Sequence, residues 1–390
     1  MFLNLKKQSL IKKFIFPLFL VVILFNPVRV IVNNWAAFFS KNYDDKFYNL
    51  VSSQYYSSQY VKKKDPIIIP DETLEAFAGG AFLKGVNPIL IIHDQPPMGR
   101  YLISASILMF RNAKIVNLIT IAFSAIGIFL LSKTLIKNIY LSVVPVAVFI
   151  NEPLTINKLI YTPLLEPIQL PFILFSIYFF IKGATEKNFL KWFLLTSLSL
   201  GFVISTRFFI LGAILLGSMI LFFLIKRKLD KRFFSFVFLL PLALLVLFAS
   251  YTVTIMHGYS LWQILGIQKY ILFYHKTALT NPFSYWDLIL FNRWHTWWGT
   301  RAIQSDPNWI LLWPVSVLFA GMNPIFALVR KISLSNAELI ISLWVISYSL
   351  MLSMGYSSTR YFLPLLPFLY ILSVAFLTRI SFLIKNEKNI

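Results

Sequence analysis

Long apolar runs alternate with short basic clusters along almost the whole chain. About 20 apolar residues are enough for an α-helix to cross the hydrocarbon core of a bilayer. The runs approach or exceed that length at 14–32, 97–111, 115–132, 163–181, 192–206, 208–225, 233–256, 308–328, 337–356 and 361–381. The pattern predicts an all-α polytopic membrane protein with about 10–12 transmembrane helices. We interpret residues 1–390 as a single integral-membrane domain.

The stretch 139–150 is ambiguous. It is short for a crossing and is followed by Asn151-Glu152-Pro153. This stretch predicts either a re-entrant segment or a short membrane crossing. In the second case, residues 154–162 form another short crossing next to it. The first apolar run has no small-residue cleavage site after it, so we expect it to be retained as a helix.

The basic clusters predict how the helices are oriented. Lys and Arg are enriched in loops on the cytoplasmic side of a membrane. They occur here at 6–13, 182–191, 226–232, 330–331 and 385–388. Both termini are therefore expected inside, which requires an even number of crossings. Two long outer segments remain, at 33–96 and 257–307.

Composition excludes a soluble protein and explains the charge. The chain is 58% hydrophobic and 13% charged, with a mean hydropathy of +0.73. The formal net charge of +21 comes mostly from the clusters between apolar runs. It indicates contact with anionic membrane lipids and argues against nucleic acid as a partner. The chain has no cysteine, which excludes disulfides, thiolate catalysis and cysteine-bound metal.

Acidic residues are concentrated in the first outer segment. Of the 15 Asp and Glu residues, seven lie between positions 44 and 94. Asp71 follows a proline and suits a helix N-cap, while Glu72 and Glu75 suit the first turn. That structural role is one hypothesis. The other is that Asp71 is a general base that takes a proton from an acceptor hydroxyl, in which case Glu75 should be dispensable.

A second polar element precedes the second apolar run and reads His93-Asp94-Gln95-Pro96-Pro97-Met98-Gly99-Arg100. The two prolines suit the first turn of a helix, because their fixed φ and missing N–H are tolerated there. Arg100 is then expected one turn inside the helix, at the outer membrane interface. It either extends toward the lipid head groups or contacts an anion such as phosphate.

Five elements, taken in order, resemble the C-type integral-membrane glycosyltransferases, which use polyprenyl-phosphate-linked sugars. Among these enzymes, the chain resembles protein O-mannosyltransferases and lipid A aminoarabinose transferases. The elements are the acidic pair Asp71-Glu72, the Gly-rich stretch 79–88, the element 93–100, the segment Ile204-Ser205-Thr206-Arg207 and the element Arg360-Tyr361-Phe362-Leu363-Pro364-Leu365-Leu366-Pro367. The chain departs from the family pattern at two places. Asp94-Gln95 is inserted before the prolines, and Arg207-Phe208-Phe209 replaces a Lys-Gly-Pro, which leaves the sugar and the acceptor open.

The resemblance implies a function. A sugar passes from a polyprenyl-phosphate donor to a lipid, glycan or protein acceptor, with inversion, on the extracytoplasmic side of a multi-pass cell-membrane protein. Asp71 is the implied base. Glu72 and Glu166 help to hold the acceptor or shape the site, and Glu152 competes with Glu166 for that assignment.

The resemblance also implies a set of substrate ligands. They are His93, Arg100, Arg207, Arg360 and Tyr361. Position supports Arg207 and Arg360 independently, since cations at outer helix ends run against the positive-inside bias. A leaving lipid phosphate needs such cations to neutralise its charge.

Two questions stay open within this interpretation. Four histidines spread over two segments are a weak signal for a metal site, so we expect no cofactor, with a divalent metal as the alternative. The second outer segment carries Trp294, Trp297, Trp298 and Arg301. They predict either an interfacial amphipathic helix or a cover over the donor cavity.

Two other functional classes compete with this one. An O-antigen ligase or polysaccharide polymerase also has many helices and a large outer loop, but such enzymes place that loop late in the chain. A transporter or flippase of lipid-linked sugars predicts repeated halves, and no internal repeat is visible.

Overall fold

The structure, a computed structural model, describes residues 2–62, 64–161, 163–276, 279–296, 302–330, 333–356 and 358–387. Its α-helices are Phe2–Asn33, Trp35–Phe39, Asp45–Tyr55, Asp71–Leu83, Met98–Phe110, Ile115–Leu135, Ile139–Asn151, Pro153–Ile160, Leu165–Thr185, Phe189–Thr206, Ile210–Ile225, Lys231–Leu239, Pro241–Ser250, Thr252–Met256, Leu261–Lys276, Ser284–Phe291, Leu312–Val329, Asn336–Leu352 and Leu366–Glu387. Short 3-10 helices lie at Pro88–Leu90 and Thr359–Tyr361. The two-residue strands Trp294–His295 and Ile303–Gln304 pair antiparallel.

The predicted all-α polytopic membrane fold is confirmed. Within the described ranges, five helices are long and apolar enough to cross a membrane, at Ile115–Leu135, Leu165–Thr185, Phe189–Thr206, Lys231–Ser250 and Leu312–Val329. A bent pair adds a sixth crossing if its two helices are one span. Shorter apolar helices lie at Phe19–Asn33, Met98–Phe110, Ile210–Ile225, Asn336–Leu352 and Leu366–Ser381. The total of about 10–12 crossings stays a prediction.

The ambiguous stretch belongs to this bent pair. The helices Ile139–Asn151 and Pro153–Ile160 meet at 53°. Pro153 lacks the N–H that would continue the first helix, so the chain turns there. Glu152, at the break, is buried, and its Oε1 accepts a hydrogen bond from Trp313 Nε1 at 2.6 Å. A buried carboxylate needs such a partner, so the bend is held against the helix Leu312–Val329.

A helical hairpin positions two of the expected site residues. The helix Leu165–Thr185 begins beside Glu166, and the helix Phe189–Thr206 is capped at its end by Arg207. The two helices pack closely because a Cβ at Gly183 would overlap the ring of Phe193. The start of one helix and the end of the other therefore come to the same end of the hairpin.

The tryptophan-rich region is not helical where it is described. Trp294–His295 forms a short β-hairpin with Ile303–Gln304, so the prediction of an amphipathic helix is wrong at these positions. Trp297, Trp298 and Arg301 lie outside the described residues. Their role as a cover stays a prediction.

Candidate active site

The acidic pair begins the helix Asp71–Leu83, and its two carboxylates line different cavities. Pro70 is the N-cap residue, so the predicted capping role of Asp71 is wrong. Asp71 and Glu72 instead occupy the first turn, where the positive end of the helix dipole favours a carboxylate. They diverge because successive residues on a helix project about 100° apart.

Arg360 joins the first outer segment to the membrane helices. Its Nη1 lies 2.5 Å from Asp71 Oδ2, and its Nε lies 3.4 Å from Glu166 Oε1. Arg207 Nη2 lies 3.0 Å from the same Glu166 oxygen. Glu166 therefore bridges the two arginines, and one of them also holds Asp71.

These ion pairs differ in their exposure to water. The side chains of Glu166 and Arg207 are 3% and 5% exposed, whereas those of Asp71 and Arg360 are 44% and 25% exposed. Two buried charges depend on each other for compensation, so Glu166 and Arg207 form the fixed part of the site. The Asp71–Arg360 pair is open enough to exchange partners.

The ring of Tyr361 contacts both arginines. The guanidinium carbons of Arg207 and Arg360 lie 5.0 and 5.5 Å from its centroid. Both distances are within the cation–π range. The backbone carbonyl of Tyr361 also accepts a hydrogen bond from the Tyr348 hydroxyl at 3.0 Å. Tyr361 is therefore held in place where it orients the two cations.

Arg100 is buried, so the alternative in which its side chain extends toward the lipid head groups is wrong. Its Nε and Nη2 donate to the two carboxylate oxygens of Glu75 at 2.7 and 3.0 Å. Nη2 also donates to Asp94 Oδ1 at 3.1 Å, and Nη1 donates to the Ile92 carbonyl. Glu75 is buried as well, which argues against the expectation that it is dispensable.

The inserted pair Asp94-Gln95 connects the site to the second outer segment. Gln95 Oε1 accepts a hydrogen bond from the Phe208 backbone N–H at 2.8 Å. The amide nitrogen of Gln95 therefore faces His275 Nε2, also at 2.8 Å, which requires an unprotonated Nε2. Burial, assisted by the charge of Arg207, lowers the pKa of His275 to about 3 and keeps the ring neutral.

A central cavity of about 120 Å³ lies where these groups converge. Five residues expected from the sequence line it, namely Asp71, Glu166, Arg207, Arg360 and Tyr361. Residues that the sequence analysis did not assign to the site complete it, among them Tyr60, Glu75, Asp94, Gln95, Tyr274 and His275. Burial, with the nearby charge of Asp94, raises the pKa of Tyr274 to about 12, so its hydroxyl is a donor.

Three expected residues lie away from this cavity. Glu72 lines a neighbouring cavity, and Arg100 is buried behind Glu75. His93 is exposed, and its ring lies 4.7 Å from that of Tyr270. Within the described ranges, no three His, Asp or Glu side chains form a group suited to a metal ion.

Asp306 holds the turn that carries Arg360. It is buried, and its Oδ2 accepts a hydrogen bond from Thr359 Oγ1 at 2.8 Å. Its backbone N–H donates to Asn292 Oδ1 at 2.7 Å. The second outer segment therefore fixes the position of Arg360. Nothing in the sequence near Asp306 indicates this contact.

Comparison with known proteins agrees with the motifs. Residues 94–255 match the family model described as dolichyl-phosphate-mannose-protein mannosyltransferase. This range contains Glu166 and Arg207 and leaves out Asp71 and Arg360. None of the curated proteins matches the sequence.

A solved structure shares the fold, and two others were also found in the comparison. The apo structure of ArnT from Cupriavidus metallidurans has a TM-score of 0.50 and 15% identity, covering 85% of this chain and 59% of that chain. The undecaprenyl-phosphate-bound structure of that protein has a TM-score of 0.49 at the same identity and coverage. The archaeal oligosaccharyltransferase AglB from Archaeoglobus fulgidus, in complex with an inhibitory peptide and a dolichol-phosphate, has a TM-score of 0.41 and 12% identity, covering 76% of this chain and 44% of that chain. The chain thus spans less than two thirds of the length of these proteins.

Proposed function

We propose that this chain, which resembles the C-type integral-membrane glycosyltransferases, transfers a sugar from a polyprenyl-phosphate donor to an acceptor hydroxyl on the outer face of the membrane. One observation supports this most strongly. Asp71, Glu166, Arg207 and Arg360 converge in one cavity. The transfer needs a base for the incoming hydroxyl and cations for the outgoing phosphate, and these residue types supply both.

The reaction breaks the bond between the anomeric carbon and the phosphate oxygen. It forms a bond between that carbon and the acceptor oxygen, whose proton passes to Asp71. The phosphate leaves with the electron pair of the broken bond, and Arg207 and Arg360 neutralise its charge. Arginine suits this role because its planar fork matches two phosphate oxygens.

The contact between Asp71 and Arg360 suggests an order of events. A carboxylate that is paired with an arginine is a weaker base than a free one. A donor phosphate competes for Arg360 and releases Asp71 from it. The pair is partly exposed, so little stability is lost when it separates. We therefore expect the donor to bind before the acceptor loses its proton.

The remaining residues hold the reacting groups in place. Glu166 keeps both arginines in position, and Arg100 acts through Glu75 and Asp94 as a positioning residue. We propose that the chemistry needs no divalent metal, because Arg207 and Arg360 can neutralise the charge of the leaving phosphate. A chelator should then leave the rate unchanged. The acceptor class includes lipid, glycan and protein hydroxyls.

A direct test uses the purified chain in lipid nanodiscs. Undecaprenyl phosphate carrying mannose, aminoarabinose or another hexose or pentose is supplied together with lipid, glycan and peptide acceptors that carry hydroxyls, and released undecaprenyl phosphate is measured by mass spectrometry. Release from at least one donor is expected. No release from the whole panel would contradict the proposal. Comparing glycolipids and glycoproteins of cells with and without the chain then identifies the sugar and the acceptor.

The outer-face assignment has its own test. The chain has no native cysteine, so single cysteines report the side of the membrane cleanly. Ser53 is exposed in the first outer segment, and Lys187 is exposed in a predicted inner loop. Ser53→Cys should react with an impermeant maleimide added outside, and Lys187→Cys should not. The reverse pattern would place the central cavity on the cytoplasmic side.

A further inference from the structure

A second cavity lies beside the central cavity and has no role in the chemistry above. Its volume is about 200 Å³, and we call it the side cavity. Its walls include Tyr43, Phe47, Glu72, Asn112, Lys114 and Tyr161. Of these residues, Tyr161 is exposed and Asn112 is buried.

The side cavity and the central cavity share two walls. In the first turns of the helix Asp71–Leu83, positions 71, 74 and 75 line the central cavity, and positions 72, 73 and 76 line the side cavity. Where the chain enters the helix Leu165–Thr185, residues 161 and 163 line the side cavity, whereas residue 164 and the first two helical residues line the central one. One helix turn and one extended segment separate the two spaces. Asp71 lies in that shared wall.

Hydrogen bonds of the buried Asn112 side chain hold one wall of the side cavity in place. The Asn112 amide nitrogen donates to the carbonyls of Ala37, Phe38 and Ser40 at 3.0, 2.8 and 2.9 Å. Asn112 Oδ1 accepts from the Lys114 backbone N–H at 2.8 Å. Both polar atoms of the Asn112 side chain therefore take part in holding this wall. Its contacts also fix the backbone from which the Lys114 side chain extends.

Two opposite charges line the side cavity without pairing with each other. Glu72 and Lys114 both line the side cavity, and neither forms an ion pair with any residue that the structure describes. Beside them are the aromatic rings of Tyr43, Phe47 and Tyr161. A ligand for this space must both accept and donate hydrogen bonds and must also offer an apolar face.

We propose that the side cavity is an acceptor subsite and that it binds the sugar ring of a glycan or glycolipid. This assignment rests on the proposed function. Sugar hydroxyls donate and accept, so they match a carboxylate and an ammonium together, while the C–H face of the ring packs on aromatic side chains. At about 30 Å³ per water, the cavity holds about seven waters, which is the space of about one sugar ring. A ring bound there lies against the wall that carries Asp71, and another hydroxyl of the same acceptor enters the central cavity, where Asp71 takes its proton.

The test uses the full chain in nanodiscs and an octyl β-D-glucoside that carries a diazirine on its sugar. Photolabelling followed by mass spectrometry should place the probe on residues 42–47, 112–114 or 161, and excess unlabelled octyl glucoside should displace it. Glu72→Gln and Lys114→Met should each reduce labelling roughly tenfold, because each removes a charge-assisted hydrogen bond. Asp65→Asn and Lys62→Met change exposed charges of the same segment outside the expected labelled positions and should leave labelling unchanged.

Other results would overturn the assignment. They are labelling confined to the central cavity, undiminished labelling in both variants, or stronger labelling by a diazirine-bearing serine peptide. Tyr161→Ala is a further variant at an exposed position and should also weaken labelling if Lys114→Met fails to fold. Labelling needs no turnover. A chain that is labelled in the side cavity but releases no undecaprenyl phosphate would retain the sugar subsite and contradict only the proposed transfer.

Discussion

Replacing Asp71 by Asn separates a catalytic base from a merely structural carboxylate. The amide keeps the size and shape of the side chain and removes its charge and basicity. The variant loses the ion pair in which Arg360 Nη1 lies 2.5 Å from Asp71 Oδ2. It loses no helix cap, because Pro70 is the N-cap residue. Arg360 also retains its 3.4 Å contact with Glu166.

The structural and catalytic costs of this change differ in size. The Asp71 side chain is 44% exposed, so solvent screening limits its ion pair to about 1 kcal/mol or less of the free energy of unfolding. Loss of a general base slows a reaction by about 10²–10⁴-fold. That corresponds to about 3–5 kcal/mol of the activation barrier. The variant should therefore fold almost normally and turn over very slowly.

The assay compares three quantities in the same preparation. They are the release of polyprenyl phosphate, the binding of the sugar donor and the midpoint of thermal unfolding. Glu75→Gln is not a suitable control, because Glu75 holds the buried Arg100. Asp45→Asn is a better one, since Asp45 is an exposed carboxylate of the same outer segment, paired with Lys84 at 2.8 Å. Near-normal turnover in folded Asp71→Asn would refute the assignment of the base.

Three further predictions concern neighbouring groups. Arg360→Ala should weaken donor binding by about tenfold or more, and Arg360→Lys should restore only part of it, because lysine lacks the bidentate fork; an unchanged dissociation constant would contradict the phosphate contact. Glu75→Gln should lower the free energy of unfolding by about 3 kcal/mol, because it leaves the buried charge of Arg100 incompletely compensated; a denaturation midpoint equal to wild type would show otherwise. The pKa of His275 is about 3 in the folded chain, against an ordinary value of 6.5. Between these two pH values the unfolded chain binds a proton that the folded chain does not, so the free energy of unfolding should rise with pH across that interval. In His275→Asn, the slope of stability against pH from 5 to 7 should flatten, and an undiminished slope would assign it to other groups.

The insertion Asp94-Gln95 can be identified from the sequence as a departure from the family pattern. Its contacts cannot be predicted from the sequence. Asp94 binds Arg100, and Gln95 links the Phe208 backbone to His275, which lies 180 residues further along the chain. No local periodicity encodes a contact over that separation. Asp306 was missed for the same reason, because its partner Thr359 is 53 residues away.

Local chemistry by itself determined the helices of this protein, the polar segments between them and the residue types of the candidate site. Apolar length specifies a helix that can cross a membrane, and a proline followed by carboxylates favours a helix start at Asp71. Only the tertiary structure decided which charges meet. Asp71 and Arg360 are 289 residues apart and pair because the helices between them pack. The same packing buried Arg100 and placed the neighbouring residues Asp71 and Glu72 in two different cavities. Helix geometry sets the angle between these two side chains, but packing decides which cavity each one faces.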